Sequence, residues 1–252
     1  MAPGLSLQVR TRCLVLRRIP FGDTSWILHA FTQAEGRVTL LARGARRPNS
    51  PFAGCLEPLS LLESVHVRKG GREIQPLTQA HLLHGWPQVR TDLARLACAL
   101  CGLDALETFL SDPMPHEPLF ESSVAFLASI EAGHDGALCL ARHLCVLSQE
   151  LGIAPRLDAC ARCEDPITSS HPPHSPSLGG VLCEPCGNDS RLTRLSPELL
   201  EALRRMARGT RPNPYPSDLQ REVERFYQDH LLAHTRRTAK LEAWKLWDEV
   251  RP

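Results

Sequence analysis

Two Cys-x-x-Cys pairs constrain the fold of this chain more than any other feature of its sequence. Cys160 and Cys163 form the first pair, Cys183 and Cys186 form the second, and nineteen residues lie between them. Two thiolates three residues apart on a tight turn can hold one metal ion, and a second pair completes a tetrahedron. Four sulfur ligands leave no position for water, as in structural zinc sites. The spacing therefore predicts one structural zinc ion in a finger over residues 156–192.

Other interpretations of the four cysteines stay open at this stage. They could bind iron, pair as disulfides or be unrelated core residues. His171 and His174 are possible substitute ligands, but the serines and prolines around them predict a flexible, solvated loop over residues 168–177. A catalytic zinc would need an open position, and the deaminase pattern is absent because Asp189 stands three residues after Cys186. The metal is therefore expected to support the fold only.

A zinc or thiol enzyme is one functional alternative. It would need an open metal position or a cysteine activated by a neighbouring base. The sequence contains no glycine-rich phosphate loop, no Gly-x-Ser-x-Gly and no His-Glu-x-x-His motif. No catalytic residue is predicted, and the chain is expected not to be an enzyme.

Length and composition set the remaining bounds. At 252 residues the chain can hold one large domain or two to three small ones, and its net charge of +1 says nothing about partners. Neither a secretion signal nor an apolar stretch long enough to cross a membrane is present, which predicts a cytoplasmic protein. The cysteines outside the two pairs are expected to be reduced core residues: Cys13, Cys55, Cys98, Cys101, Cys139 and Cys145.

Short apolar runs broken by Gly, Pro and Asn fill the N-terminal third of the chain. They predict five strands, near residues 12–18, 25–32, 37–43, 59–68 and 73–82. Five short antiparallel strands suit a small closed barrel. An OB-fold has that strand count, and an SH3-like barrel would fit the spacing nearly as well.

The N-terminal third differs in net charge from the rest of the chain. Residues 1–85 hold 11 Arg and Lys against 5 Asp and Glu, a net +6, whereas the remainder holds 18 against 23, a net −5. The basic residues cluster at Arg17–Arg18, Arg43–Arg47 and Arg68–Arg72. Guanidinium groups on barrel loops suit a phosphate backbone. The alternative is a charged but ordinary barrel surface, or a scaffold that docks an acidic protein partner without binding DNA.

Aromatic residues are scarce in the predicted barrel. At least two of its four large aromatic side chains are expected in the core: Phe21, Trp26, Phe31 and Phe52. Binding of nucleic acid would therefore depend mainly on phosphate contacts, with little base stacking, and would be sensitive to salt.

The apolar period changes to that of a helix after Trp86-Pro87, which predicts a domain boundary. Leucine steps predict helices over residues 89–110, 120–130 and 140–151, the last of them capped by Gly152. The predicted domains are a barrel at 1–85, helical parts at 86–155 and 193–252, and the interrupting finger.

The C-terminal helical part carries its own start signals. Ser196-Pro197 predicts a helix start, and Ser217–Gln220 is interpreted as a capping box that opens the last helix. A stiff linker is expected before it, at residues 212–216. The end of the last helix carries two tryptophans and four basic residues: Arg236, Arg237, Lys240 and Lys245. It is either a second basic contact for nucleic acid or a solvated helix end.

The order of these features resembles the RecO family of bacterial recombination mediators. The resemblance spans nearly the full chain and rests on residues 14–25, 31–37, 42–50, 56–59, 151–163 and 179–186. The chain departs from the family at Asp23–Ser25, where Glu-Ser-Asp is frequent, and at Glu164, where glycine is frequent. The resemblance implies an α+β protein: an N-terminal five-stranded OB-fold β-barrel, then an α-helical domain interrupted by a four-cysteine zinc finger.

The resemblance also implies a role in recombinational repair. Similar proteins bind single- and double-stranded DNA through the barrel, anneal complementary strands and, with RecR, help load RecA onto DNA coated by the single-strand-binding protein SSB. They also dock the acidic SSB tail in a groove of the helical domain, for which Arg142 and Arg205 are candidates here. This function implies a place on the nucleoid. The expected DNA contacts are Arg43, Arg46, Arg47, Arg37, Arg17, Arg18 and Lys69.

Overall fold

The computed structural model describes residues 6–110, 113–210, 215–235 and 242–251. Contacts group the chain into two compact units, one of Met1–Ala132 with Leu241–Pro252 and one of Gly133–Lys240. The first unit joins the barrel to the first three helices and the last one, and the finer domain limits stay a prediction. Within the described residues, no helix has both the length and the apolar character needed to cross a membrane.

A closed barrel forms the start of the first unit. Its strands are β1 (Ser6–Phe21), β2 (Ser25–Thr32), β3 (Gly36–Ala42), β4 (Leu61–Lys69) and β5 (Ile74–His84), and they close in the order β1-β2-β3-β5-β4. β3 and β5 run parallel, and the other pairs are antiparallel. This is the five-stranded barrel of an OB-fold, one of the two barrels that the strand spacing allowed.

The barrel core follows the alternation of the strands. Leu28 and Ala30 of β2 face Leu40 of β3 inside, where each is fully buried. Phe52, from the long connection after β3, closes the same cluster. None of the eight residues of β2 is exposed, so both faces of this strand are largely covered.

Seven α-helices lie in the described residues: α1 (Pro87–Thr91), α2 (Leu93–Phe109), α3 (Glu117–Glu131), α4 (Gly136–Glu150), α5 (Pro197–Ala207), α6 (Ser217–Ala233) and α7 (Glu242–Val250). The single helix predicted over 89–110 is wrong, because Asp92 is extended and separates α1 from α2. The Asp92 carboxylate accepts a hydrogen bond from the Arg95 N–H and so caps α2.

The C-terminal helices correct two further expectations. The capping box at Ser217 is wrong: Pro216 takes the N-cap position, and the Gln220 amide donates instead to the Tyr215 carbonyl. The last helix is also two helices, since α6 ends at Ala233 and α7 is separate. The linker at 212–216 falls partly, and the basic residues at 236–240 wholly, outside the described residues.

Other cap predictions are confirmed. The Ser196 hydroxyl accepts from the Leu199 N–H at the start of α5. Gly152 follows α4 with a φ of 70°, the left-handed geometry that favours glycine after a helix.

The finger holds a small sheet of β6 (Pro173–Ser175), β7 (Gly180–Val181) and β8 (Thr193–Arg194). The flexible loop predicted over 168–177 is therefore wrong in its second half, because all three residues of β6 are buried. The His174 ring lies 4.5 Å from the Phe226 ring of α6, and this tertiary contact explains the burial.

Candidate nucleic-acid interface and four-cysteine site

Helices cover one half of the outer face of strands β1–β3. The Phe31 ring packs edge-on against Phe120 of α3 at 5.4 Å, and His29 Nδ1 lies 2.6 Å from the Glu107 carboxylate of α2. Burial raises the pKa of Glu107, but the His29 hydrogen bond and the charges of Arg17 and Arg37 outweigh it and lower that pKa. This half of the barrel face is therefore covered by helices of the same unit.

The other half of the same face is open. Strand register places Phe21 of β1 opposite Ser25 of β2, and Leu41 of β3 opposite Ile27. Phe21 and Leu41 line a cavity of about 430 Å³ together with Thr24, Ser25, Arg43, Gly44 and Arg47. Phe21 is 52% exposed, and sequence reasoning did not separate this surface ring from the core residues Phe31 and Phe52. Its position beside the Gly22 turn was the available signal.

The basic turn after β3, residues 43–47, borders this cavity. Its Arg43, Arg46 and Arg47 side chains are all exposed. Among the described residues, no carboxylate pairs with Arg43 or Arg47. Arg46 is held instead: its guanidinium donates to the Gly22 carbonyl at 3.2 Å and lies over the Trp26 ring at 5.3 Å. The three arginines predicted from the sequence are thus brought together on one turn.

The other candidate arginines of β1 and β3 differ in availability. Arg17 is exposed, although its charge acts on Glu107. Arg18 is half-buried, pairs with Glu57 and lies over the Trp26 ring at 4.6 Å. Arg37 is less available than the other predicted DNA contacts on these strands. Its side chain is only 18% exposed, and its guanidinium donates to the carbonyls of Glu107 and Leu110 at the end of α2.

The remaining candidates lie elsewhere. Lys69 is half-buried and pairs in register with Ser6, at the end of β1 opposite to the basic turn. Arg142 is exposed on α4 and Arg205 is half-buried on α5. Both belong to the second unit, whereas the basic turn belongs to the first. Their role in binding an acidic tail stays a prediction.

Four cysteine sulfur atoms meet in the finger. The Sγ atoms of Cys160, Cys163, Cys183 and Cys186 all lie within 4.8 Å of one another, and those of Cys163 and Cys183 are 3.6 Å apart. Four sulfurs around a zinc ion with bonds of about 2.3 Å would be roughly 3.8 Å apart. The donor set and its spacing therefore fit one tetrahedral zinc ion, with no open position.

Each Cys-x-x-Cys pair sits on the same kind of turn. The Glu164 N–H donates to the Cys160 carbonyl at 3.0 Å, and the Gly187 N–H donates to the Cys183 carbonyl at 2.8 Å. Glu164 has a φ of 67°, which explains why glycine suits this position. The two turns therefore direct all four sulfur atoms toward one point.

Hydrogen bonding favours a thiolate at Cys160. Burial raises the pKa of its thiol, but backbone N–H groups of Cys163, Cys183 and Arg162 outweigh burial and lower that pKa to about 6. A thiolate is the form that binds metal. Neither histidine joins the cluster: His171 is exposed and His174 is buried against α6, contrary to the expectation of a solvent-exposed His174.

These features define an OB-fold protein. It has a closed barrel, an open cationic face suited to nucleic acid, and a four-thiol finger of the kind that holds a structural metal. The family model described as "Recombination protein O N terminal" matches residues 5–86, and "Recombination protein O C terminal" matches residues 90–239. The chain belongs to this RecO family of recombinational DNA repair proteins.

Similar proteins are found in several bacteria. The chain is 31% identical to a DNA repair protein RecO of Anaeromyxobacter dehalogenans over 95% of each chain. It is 32% identical to that of Rubrobacter xylanophilus over 92% of this chain and 94% of the relative, and 28% identical to that of Myxococcus xanthus over 90% and 92%. The similarity thus covers both units.

Proposed function

We propose that this chain is a DNA-binding recombination mediator that anneals complementary strands and, with RecR, helps load RecA onto SSB-coated single-stranded DNA. The observation that carries the DNA-binding part is the basic turn, where Arg43 and Arg47 are exposed beside the open half of the barrel face. Exposed guanidinium groups at such a place neutralise phosphates and so release the counterions condensed on the DNA. The charge of +6 in residues 1–85 supports the same surface.

The finer parts of the proposal rest on family membership and composition. RecR is a partner, and the acidic SSB tail docks in the second unit, with Arg142 and Arg205 as its contacts. One zinc ion is held by Cys160, Cys163, Cys183 and Cys186 and supports the finger, and no residue acts as a catalyst. The protein works in the bacterial cytoplasm, on nucleoid DNA.

The basic turn is tested by changing Arg43, Arg46 and Arg47 together to Ala. We expect the triple variant to bind single- and double-stranded DNA more weakly at every sequence. On single strands, the slope of log affinity against log salt should fall by about 0.7 for each phosphate that the variant no longer neutralises. Fluorescence anisotropy with labelled oligonucleotides over a salt series measures both.

A matched control removes three exposed arginines that belong neither to this turn nor to its cavity: Arg10, Arg191 and Arg225. It changes the net charge equally and should keep both affinity and slope. If the triple variant binds DNA as the native chain does, the basic turn is not the DNA surface. If the native chain binds no DNA at all, the turn instead fits the scaffold alternative, with an acidic protein as its partner.

A further inference from the structure

We propose that the cavity beside Phe21 holds one unstacked nucleotide of a single strand, its base on the Phe21 ring and the flanking phosphates on Arg43 and Arg47. This inference rests on the proposed DNA binding and deepens it, because it makes Phe21 a residue that selects unpaired strands over duplex.

The exposed ring is the first observation. Phe21 is the last residue of β1 and is 52% exposed, whereas Phe31 is fully buried and Phe52 is 6% exposed. Phe21 lines an open surface cavity of about 430 Å³. An aromatic face at a cavity is a surface on which any base can stack.

The chemistry of the lining is the second observation. Leu41 adds apolar lining beside Phe21, and the hydroxyl-bearing residues Thr24 and Ser25 line the same cavity. Arg43 and Arg47 supply two positive charges that pair with no carboxylate among the described residues. Apolar lining, hydroxyl groups and cations match the base, sugar and phosphates of one nucleotide.

The cavity is also held in shape. The Arg46 N–H donates to the Thr24 carbonyl at 2.8 Å, and the Arg46 guanidinium donates to the Gly22 carbonyl at 3.2 Å. These bonds tie the basic turn to the β1–β2 turn, so both walls are fixed to each other. A preformed site loses less conformational entropy when its ligand binds.

The same geometry explains selection of single strands. In duplex DNA each base is stacked between its neighbours, so the Phe21 ring meets only the backbone. An unpaired strand can turn one base out onto the ring at little cost. Arg43 and Arg47 can bind single strands and duplex alike, because both present phosphates.

The test compares Phe21→Ala with the native chain on an unpaired 15-mer and on a duplex of the same length. We expect roughly tenfold weaker binding of the single strand and unchanged binding of the duplex. Phe21→Trp should keep single-strand affinity, since its larger ring also stacks. Leu7→Ala, at an apolar side chain of β1 that is 61% exposed, is the matched control and should change neither.

A second measurement removes the base instead of the ring. A 15-mer whose sugars all lack bases should bind the native chain and Phe21→Ala equally, since no base can stack. Equal losses on single strand and duplex, or none with Phe21→Ala, would overturn the nucleotide site. The Arg43, Arg46 and Arg47 triple variant separates the two proposals. If it weakens all DNA binding while Phe21→Ala changes nothing, only the nucleotide site fails.

Discussion

A histidine in an apolar column makes the second unit sensitive to acid. His174 is 7% exposed, and its ring lies 4.5 Å from Phe226, which in turn lies parallel to the His230 ring at 6.3 Å. Burial, helped by His230, lowers the pKa of His174 to about 4. Because the folded value lies below the unfolded value of about 6.5, the unfolded chain takes up the proton first. The contribution of His174 to stability is therefore expected to be full above about pH 6.5 and to fall toward pH 4.

His174→Phe should remove the part of this acid sensitivity that His174 contributes. A phenyl ring can pack on Phe226 and takes up no proton, so the native chain should lose up to about 3 kcal/mol more than the variant between pH 7 and 4. Thermal unfolding followed by circular dichroism, with zinc in excess, measures the difference. His171→Phe, at an exposed position nearby, is the control. The assignment is wrong if His174→Phe loses stability with acid as steeply as the native chain does.

Single residues also show what the sequence could not reveal. The chain offers many arginines of similar appearance near the strands. Arg37 looks as available as Arg43, yet its guanidinium caps the end of α2, whose carbonyls only the folded chain brings near. Phe21 looks like a core residue, and its exposure depends on which half of the barrel face the helices leave open. Whether a side chain is exposed enough to bind DNA depends on its tertiary contacts, and no local sequence pattern encodes those contacts.

The finger is an element whose fold depends on its proposed metal. Its strands β6–β8 hold only seven residues, too few for a stable sheet by themselves. In zinc-finger peptides a structural zinc contributes about 10–16 kcal/mol of binding free energy, which is also folding free energy. Cys160→Ser should therefore lose the metal, unfold the finger and lower the melting temperature, while DNA binding by the barrel changes little.

Metal content by mass spectrometry, melting temperature and oligonucleotide affinity check this expectation together. Cys139→Ser, at a half-buried cysteine of α4, is the control and should keep one zinc ion per chain. A full zinc content in Cys160→Ser would remove the four-thiol assignment. Weaker DNA binding without unfolding would make the finger part of the DNA surface.

Strands, helices and the finger could be predicted where the sequence signal was local. The limits of β2 agree with the prediction at both ends, because alternating apolar residues stand between a Gly-Asp turn and an Ala-Glu-Gly turn. The four-cysteine cluster followed from spacing alone. The strand β6 did not, since the prolines and serines around it suggest a loop and its burial depends on tertiary contacts, such as that of His174 with Phe226 of α6. The capping box failed because Pro216, one residue earlier, already fixes the N-cap geometry.

At the scale of the molecule, the first unit is built from two distant parts of the chain. α7 packs against α2, and Trp244 and Trp247 are 5% and 2% exposed. Trp247→Ala should lower the free energy of unfolding of this unit by about 3–5 kcal/mol, the usual cost of removing a buried aromatic side chain. Lys245→Ala, exposed on the same helix, should change it by less than about 0.5 kcal/mol.

Tryptophan fluorescence in a denaturant series is the suitable measurement. All four tryptophans of the chain, at positions 26, 86, 244 and 247, belong to the first unit, so the signal reports on that unit alone. The three that remain in Trp247→Ala still follow the transition. An unchanged midpoint would show that α7 contributes nothing to the unit.

The packing of α7 against α2 matters for the nascent chain during synthesis. The ribosome finishes α2 at Phe109 and begins α7 only at Glu242, roughly 130 residues later. At about 5–20 residues per second, the nascent barrel unit waits on the order of ten seconds for its closing helix. Throughout that interval the bare side of α2 is open to chaperones, and the unit matures only after the intervening helices and finger have left the exit tunnel.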